Sequence, residues 1–271
     1  NADSPCFSNI MDTIISRNNP KIKYFAKLTA DASFRKSEGL FTLEGQRLCC
    51  DASLSGIGIT DAFITENAMK KYSSSLDVLT EKSDRVFLVT DEVSARLSDT
   101  KNSQGVFCIC KTLDKRHNID KINYNGIYIA VENLQTPSNL GAAARTAEAL
   151  GLDGMIVSGG CDIYNPKAQR AAMGSLLRLN IIETASLAEF LTECSAHSMK
   201  TYAAVPDSSA MPITKINKTS GIVCAVGNEG NGLSDEVINA CSHRVTIPMK
   251  GRAESLNAAS AAAVIMWEMV R

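Results

Sequence analysis

A small, apolar run of helical character, QTPSNLGAAARTAEALG at residues 135–151, carries polar side chains that could do chemistry. Asn139 and Arg145 are six positions apart, about 240° around a helix, so they do not share a helical face and we expect Asn139 in the loop before the helix. Gly141 does share the face of Arg145, and leaves bare backbone over which Arg145 or a ligand can lie. The alternative for Arg145 is a solvated ion pair with Glu148, three residues further on.

A second polar group lies in the loop GNEGNGLSDE, where Gly227 and Gly230 flank Asn228 and Glu229. Glycines permit positive φ and let backbone amides approach a ligand closely. The spacing is neither G-x-G-x-x-G nor a Walker loop, so it predicts no dinucleotide or triphosphate site. The alternative is a glycine-rich turn that ends at Ser234 as the N-cap of a helix.

A third group, Ser255 and Asn257, precedes the alanine-rich helix of KGRAESLNAASAAAVIMWEM. One of the two is expected to be the N-cap, and the presence of a second polar side chain favours a binding site. The histidines lie at positions 117, 197 and 243, and none has a setting that suggests a base beside a nucleophile. A Ser-His-Asp hydrolase therefore has no support.

The elements that must position these loops follow from the pattern of apolar runs. From Gly126 onward short apolar runs alternate with helical segments; the runs are GIYIAVE, GMIVSG, KTYAAVP, GIVCAVG and HRVTIPM. This alternation predicts a parallel sheet with helices on both faces. Because ligands of such sheets bind beyond the carboxyl ends of the strands, the loops there should hold the chemistry.

The first half of the chain predicts a separate, smaller α/β domain at 18–110. Apolar residues from Ile22 to Leu28 follow a helical spacing, while LFTLEG and RVFLVT alternate like short strands. Residues 111–125 are polar without an apolar period, as is typical of a linker. We therefore predict two domains, 18–110 and 126–271, joined by the linker 111–125.

Composition excludes several classes of protein. The 271 residues are 45% hydrophobic with a net charge of -1, so nothing global indicates nucleic-acid or membrane binding and any anionic partner must meet local patches. Nine cysteines without C-x-x-C spacing fit reduced thiols better than a disulfide framework or a zinc site. With no membrane span and no basic-then-apolar signal pattern, we expect a cytoplasmic protein.

Taken together, the three polar loops resemble, in order and spacing, the three motifs of the SpoU (TrmH-like) RNA ribose methyltransferases of the SPOUT superfamily. The matching segments are N-x-G-x-x-x-R from Asn139 to Arg145, G-N-E-G from Gly227, and I-P-M with E-S-L-N between Ile247 and Asn257. The segments YFAKLTADASFRKSEGLFTLEGQRL and LSDTKNSQGVFCIC look like the RNA-substrate-binding domain that many SpoU enzymes carry, a module related to RNA-binding ribosomal proteins.

The resemblance implies a trefoil-knotted catalytic domain, a homodimer, and S-adenosylmethionine bound in the knot, with no metal. By the same likeness the cofactor site is lined by Gly227, Ile247, Met249 and Leu256. The catalytic group comprises Asn139, Arg145, Glu229, Ser255 and Asn257, with Asn139 and Arg145 facing the target ribose across the dimer interface. Arg145 is either the general base or a phosphate clamp that stays cationic, because a guanidinium with a pKa above about 12 holds its proton firmly.

The resemblance also implies RNA contacts in both halves. The basic residues of the first half include Lys21, Lys23, Lys27, Arg35, Lys36 and Arg47, and we expect Arg35, Lys36 and Arg47 to contact phosphates. In the second half Arg170 and Ser175 are the expected contacts, and Ala172 stands where many relatives have serine. The expected substrate is ribosomal RNA. Three competing interpretations are transfer RNA as the substrate, a base nitrogen as the methyl acceptor, and an RNA-binding protein without catalysis.

Overall fold

The computed structural model describes residues 12–113, 122–218, 221–253 and 255–271. The chain divides into two compact units, with the boundary after Leu113. Most of the predicted linker, residues 114–121, lies outside the described residues. At its two ends, a strand of the first unit runs on to Lys111, and Tyr124 packs against the core of the second unit.

The first unit is a five-stranded sheet with helices. Its strands are β1 (Asp12–Ile14), β2 (Leu40–Glu44), β3 (Ile59–Thr65), β4 (Ser83–Val89) and β5 (Val106–Lys111). Its helices are α1 (Pro20–Ala30), α2 (Ala32–Glu38), α3 (Gln46–Leu54), α4 (Glu66–Lys71), α5 (Ser73–Lys82) and α6 (Asp91–Leu97). The sheet order is β1-β4-β3-β5-β2. Strands β1, β4 and β3 are parallel, whereas β5 is antiparallel to both of its neighbours.

Helix α1 forms at the position that the spacing of apolar residues predicts. Asn19 accepts a hydrogen bond from the Lys21 amide and begins the helix, as is usual for an Asx N-cap. Phe25 on its inner face packs edge-on against Phe63 at a centroid distance of 5.8 Å. The helix ends at Asp31, whose side chain caps α2, so the predicted helix is confirmed with a break after its third turn.

The second unit is built on a seven-stranded sheet. Its strands are β6 (Ile127–Glu132), β7 (Gly154–Ser158), β8 (Ile181–Glu183), β9 (Lys200–Ala204), β10 (Met211–Pro212), β11 (Ile222–Val226) and β12 (His243–Thr246). Its helices are α7 (Pro137–Ala149), α8 (Pro166–Ala172), α9 (Ser175–Arg178), α10 (Leu187–Ala196), α11 (Asp235–Ala240) and α12 (Ala258–Val270). The order is β10-β12-β9-β11-β6-β7-β8, and every pairing is parallel. The predicted parallel sheet is confirmed; β8 and β10 are too short to leave an apolar run.

Helices cover both faces of this sheet. Along β6, Ile129 and Val131 enter the core shared with α7, α8 and α12, while Tyr128 and Ala130 enter the core shared with α10 and α11. Alternate residues of a strand point to opposite faces, so both faces of β6 are buried and its sequence is a nearly continuous apolar run. Polar side chains are therefore left to the loops at the strand ends.

Two further sequence expectations concern cysteine and the membrane. Each of the eight cysteines within the described residues is a free thiol, in agreement with the prediction of reduced cysteines. In the same part of the chain, no helix combines the length and apolarity that a membrane crossing requires.

Candidate active site

A cleft of about 780 Å³ opens beyond the carboxyl ends of β9, β11 and β12. All four residues predicted to bind a cofactor line it, namely Gly227, Ile247, Met249 and Leu256. Glu229 and Ser255 of the predicted catalytic group line it as well. The two later motif loops thus share one cleft, as parallel strand ends at a common sheet edge require. Cofactor binding by these residues stays a prediction.

Glu229 connects this cleft to the first residues of α7. Its carboxylate accepts hydrogen bonds from the backbone amides of Gln135 and Thr136, both at 3.1 Å, and from Asn139 Nδ2 at 2.8 Å. Burial acts to raise the pKa of Glu229, but the hydrogen bonds, led by that from Asn139, outweigh it and lower the pKa to about 2. Glu229 is therefore an anion that caps the positive end of α7.

Asn139 also forms a hydrogen bond with Asn257 in the third motif loop. Asn257 Nδ2 donates to Asn139 Oδ1 at 3.2 Å, and Asn257 Oδ1 caps α12 by accepting from Ala259 N and Ser260 N. The direction of both amides is fixed, because Glu229 accepts at one end of the chain and backbone N–H groups donate at the other. We call this chain of hydrogen bonds, Glu229–Asn139–Asn257, the motif network. It joins all three sequence motifs.

The position of Asn139 corrects one prediction. The helix begins two residues earlier, at Pro137, so Asn139 lies inside the first turn of α7 rather than in the loop before it. Proline fixes a helical φ and lacks the amide that the first turn cannot satisfy, and this makes Pro137 a good first residue. The prediction that Asn257 or Ser255 caps α12 is confirmed for Asn257.

Arg145 is exposed on α7, and among the described residues it makes no hydrogen bond or ion pair. The predicted alternative, an ion pair with Glu148, is wrong. Glu148 instead binds Arg178 on α9, with Nε–Oε1 at 2.5 Å, and accepts a hydrogen bond from the Ser175 hydroxyl. The bond to Arg178 is the main reason that the pKa of Glu148 is lowered. Arg145 thus presents an unneutralised cation on the exposed face of α7, the helix that carries Asn139 in its first turn.

Comparison with known proteins agrees with this geometry. A family model described as SpoU rRNA methylase matches residues 126–267, and one described as an MRM3-like substrate binding domain matches residues 19–108. The chain belongs to the SpoU rRNA methylase family. The SpoU domain is accordingly the part of the chain that contains the cleft and the motif network.

Full-length relatives extend the match to both domains. The chain is 31% identical to an uncharacterised tRNA/rRNA methyltransferase of Synechocystis, covering 96% of this chain and 93% of the relative. It is 26% identical to the 23S rRNA (guanosine(2553)-2'-O)-methyltransferase RlmP of Bacillus subtilis, over 96% of this chain and 99% of the relative. A solved structure of the AdoMet-bound rRNA methyltransferase of Sinorhizobium meliloti superposes with a TM-score of 0.85 at 25% identity, over 96% of this chain and 97% of that one.

Within the SpoU domain, Gly141 does not provide clearance for a ligand. A Cβ there would overlap the carbonyl oxygen of Ala168 and lie 2.8 Å from the amide nitrogen of Ala172. Glycine is needed because α8 crosses α7 at backbone contact. Ala172, predicted to affect an RNA contact, is fully buried in this same crossing. Its methyl group fits the core, so it is not an exposed RNA-binding position within this chain.

Two of the predicted RNA contacts are contradicted by burial. Arg35 is only 3% exposed, and its guanidinium donates to the carbonyls of Leu28 and Thr29 at the end of α1. Ser175 is 2% exposed and its hydroxyl is bound to Glu148. Both side chains stabilise helix ends or helix packing instead.

The other predicted RNA contacts keep their status as predictions. Lys36 and Arg47 are exposed on the first unit, and Arg170 is half-buried at the end of α8. Lys21 is partly neutralised, because its Nζ lies 3.2 Å from Asp61.

Sequence reasoning missed several residues of the site. The loop after β9, with Asp207 and Ser208, lines the cleft but carries no motif. Glu132 was also missed, although its carboxylate holds the amide and hydroxyl of Ser234. An acidic residue at the end of a buried apolar strand is the signal that could have drawn attention to it, because such a charge needs hydrogen-bond partners.

Proposed function

We propose that this protein methylates a ribose 2′-hydroxyl of ribosomal RNA, with S-adenosylmethionine as the methyl donor. The observation that carries the proposal is the motif network, which joins Asn139 and Asn257 to Glu229 at the wall of the cleft. The relatives support the same reaction, since one is named a 23S rRNA 2'-O-methyltransferase and another is an rRNA methyltransferase with AdoMet bound.

The cleft suits S-adenosylmethionine in size and chemistry. Ile247, Met249 and Leu256 offer apolar surface, while the loop from Gly227 to Gly232 offers backbone polar groups. A Cβ at Gly227 would overlap the carbonyl carbon of Gly232, so only glycine lets this wall fold back on itself. The bound cofactor supplies an activated sulfonium methyl group, and the protein has to orient the acceptor hydroxyl and manage its proton. Orientation alone can lower a barrier by roughly 7–11 kcal/mol.

The motif network orients groups and does not remove the proton. With a pKa lowered to about 2, Glu229 is ionised at neutral pH, and its oxygens are committed to three donors. A carboxylate of such low basicity is a poor general base. Each amide of Asn139 and Asn257 has a second N–H without an acceptor among the described residues, and these N–H groups can donate to the substrate.

Arg145 then meets the RNA as a cation. Each unit by which a pKa is lowered costs about 1.4 kcal/mol, so a neutral arginine requires large compensation. A charged guanidinium clamps the neighbouring phosphate with two hydrogen bonds and stabilises the developing alkoxide, while phosphate or water takes the proton. The general-base role is the competing mechanism.

A homodimer completes the proposed enzyme. On α12, Trp267 is 57% exposed and lies three residues after the exposed Val264, so the two form one apolar stripe. An exposed tryptophan on a helix that packs beside α7 suits a second copy of the chain. Asn139 and Arg145 would face the target ribose across that interface. The trefoil knot and the cytoplasmic location belong to the same proposal.

The deciding experiment combines cofactor binding with mapping of the product. The purified protein should bind labelled S-adenosylmethionine and produce nuclease-resistant dinucleotides in ribosomal RNA. RNA from cells with and without the protein should differ at one or a few 2′-O-methyl sites. Absence of cofactor binding would favour an RNA-binding protein without catalysis. A methylated base would identify a base nitrogen as the acceptor, and a methylated transfer RNA would identify transfer RNA as the substrate.

The substitution Arg145→Lys tests the role of Arg145 in the reaction, and cofactor affinity shows whether the cleft remains folded in this variant. Arg145→Lys keeps the charge but loses the planar fork, so we expect a loss of tenfold or more in single-turnover rate at saturating RNA, in line with the ~10²-fold or larger effects of removing such stabilisation. Cofactor affinity should be unchanged. A near-normal rate in this variant would contradict both roles considered for Arg145.

A further inference from the structure

Glu132 is a buried acidic residue at the end of the apolar strand β6. One carboxylate oxygen accepts a hydrogen bond from Ser234 N at 2.8 Å, and the other accepts from Ser234 Oγ at 2.7 Å. The two bonds to a single residue 102 positions away form a fork that fixes Ser234 in place. Such charge-assisted bonds are about twice as strong as neutral ones.

Ser234 lies at the end of the glycine-rich loop that begins at Gly227, directly before α11. Its Oγ accepts from the amide of Val237 at 3.3 Å and so caps α11. Because its one hydroxyl hydrogen is donated to Glu132, the lone pairs are left facing the helix. Glu132 therefore sets both the position and the rotamer of the cap.

The loop between Gly227 and Ser234, which we call the cofactor loop, also begins beside Glu132. In the β6–β11 pairing Val131 lies opposite Val226, the residue before Gly227. The sequence GNEGNG offers little local preference for one conformation, because glycine gives up much chain entropy on folding. The loop is instead closed by the Asn228–Gly232 backbone pair, at 3.0 Å in each direction, and its later end is held by Glu132.

We propose that Glu132 is a positioning residue that keeps the cofactor loop folded as a wall of the cleft. This inference rests on the proposed function, because it takes the cleft to be the S-adenosylmethionine site. Glu132 itself does not line the cleft and acts only through Ser234. Its loss should weaken cofactor binding without altering chemistry once the cofactor is bound.

Glu132→Ala tests this in the full-length protein, by equilibrium dialysis with labelled S-adenosylmethionine and by steady-state kinetics. We expect the Kd and KM for the cofactor to rise about tenfold, the usual range for a buried polar group that loses its partner. The kcat at saturating cofactor and the KM for RNA should stay within about twofold. Ser234→Ala should raise the cofactor Kd less, because the amide at position 234 still donates to Glu132. The double variant should raise it by less than the sum of the two single effects, since both substitutions remove the same hydroxyl bond.

Ser186→Ala is the matched control, because Ser186 caps α10 with the same chemistry by accepting from Glu189 N but lies outside the cleft. It should leave the cofactor Kd unchanged. If Glu132→Ala does not fold, Glu132→Gln keeps one acceptor oxygen and should still raise the Kd about threefold. Unchanged cofactor affinity in a folded Glu132 variant, or an equal change in Ser186→Ala, overturns the inference. Lack of binding by the unmodified protein overturns the proposed function instead.

Discussion

Replacement of Gly141 by alanine should destabilise the second unit. The added Cβ would overlap the carbonyl oxygen of Ala168, and would lie 2.7 Å from the Cβ of Ala171 and 2.8 Å from the amide nitrogen of Ala172. Two of these three atoms belong to the backbone of α8, so a rotamer change cannot relieve the clash. The helix α8 itself must move away from α7.

The magnitude follows from two opposing effects. Alanine is favoured over glycine within a helix by about 1 kcal/mol. Overpacking of a closely fitted contact costs about 1–3 kcal/mol, and backbone obstacles put this contact at the upper end of the range. The net loss is about 1–2 kcal/mol of the free energy of unfolding. For a domain of this size, that corresponds to a drop in Tm of about 2–8 °C.

Differential scanning calorimetry is the appropriate assay, because it can resolve separate transitions of the two units. Gly251→Ala provides the control, since nothing lies within 4 Å of a Cβ there. Adding Ala171→Gly to the Gly141 variant should restore little of the stability, because glycine within α8 itself costs about 1 kcal/mol relative to alanine. That second change removes the Cβ contact but leaves the obstacle at the Ala168 carbonyl.

Two results would refute this reasoning. If Gly141→Ala unfolds at the same Tm as the unmodified protein or above it, α8 can move away from α7 without loss of stability. The close crossing of the two helices then does not require glycine. If the variant keeps its stability but loses RNA affinity, Gly141 serves as bare backbone for a ligand after all. RNA affinity measured by filter binding distinguishes this second result from the first.

Three other predictions concern charged groups. Burial acts to raise the pKa of Glu229, but hydrogen bonds lower it to about 2, so the stability it contributes is present above its ordinary pKa near 4.5 and is lost as the pH falls towards 2. Glu229→Gln should remove that acid-dependent part, about 1 kcal/mol after allowance for solvent screening, and acid titrations of unfolding that coincide for both proteins would contradict it. Arg35→Met should lower stability by about 1–3 kcal/mol, since two carbonyls lose their charged donor, and should leave the salt dependence of RNA binding unchanged. Arg47→Ala should do the reverse and reduce the salt slope by about one; an unchanged slope would exclude Arg47 as a phosphate contact.

The sequence predicted the architecture of the second unit well, because its signals are local. Alternation of apolar runs with helical segments requires only the pattern of burial along each element, and the parallel sheet covered on both faces is confirmed. Asn257 as an N-cap is equally local, since its partners are the next two or three residues. Strands as short as β8 and β10 have too few residues to produce a periodic signal.

The tertiary structure alone decided the partners of the long and charged side chains. Glu148 could pair with Arg145 three residues away, yet it binds Arg178, thirty residues away, because α9 packs against α7. Arg35 was predicted to contact a phosphate because it is basic and lies in the segment that resembles an RNA-binding domain, but the end of α1 buries it. A flexible side chain can reach many partners, and only the packing of helices determines which one is near.

The active site combines the two kinds of information. The sequence alone identifies the polar residues of the three loops and the order of those loops along the chain. That Glu229, Asn139 and Asn257 form one directed chain of hydrogen bonds depends on the strand order, which brings loops 90 and 118 positions apart to one edge of the sheet. The local sequence identifies the polar side chains of the site, and the packing of the sheet determines which of these side chains form hydrogen bonds with one another.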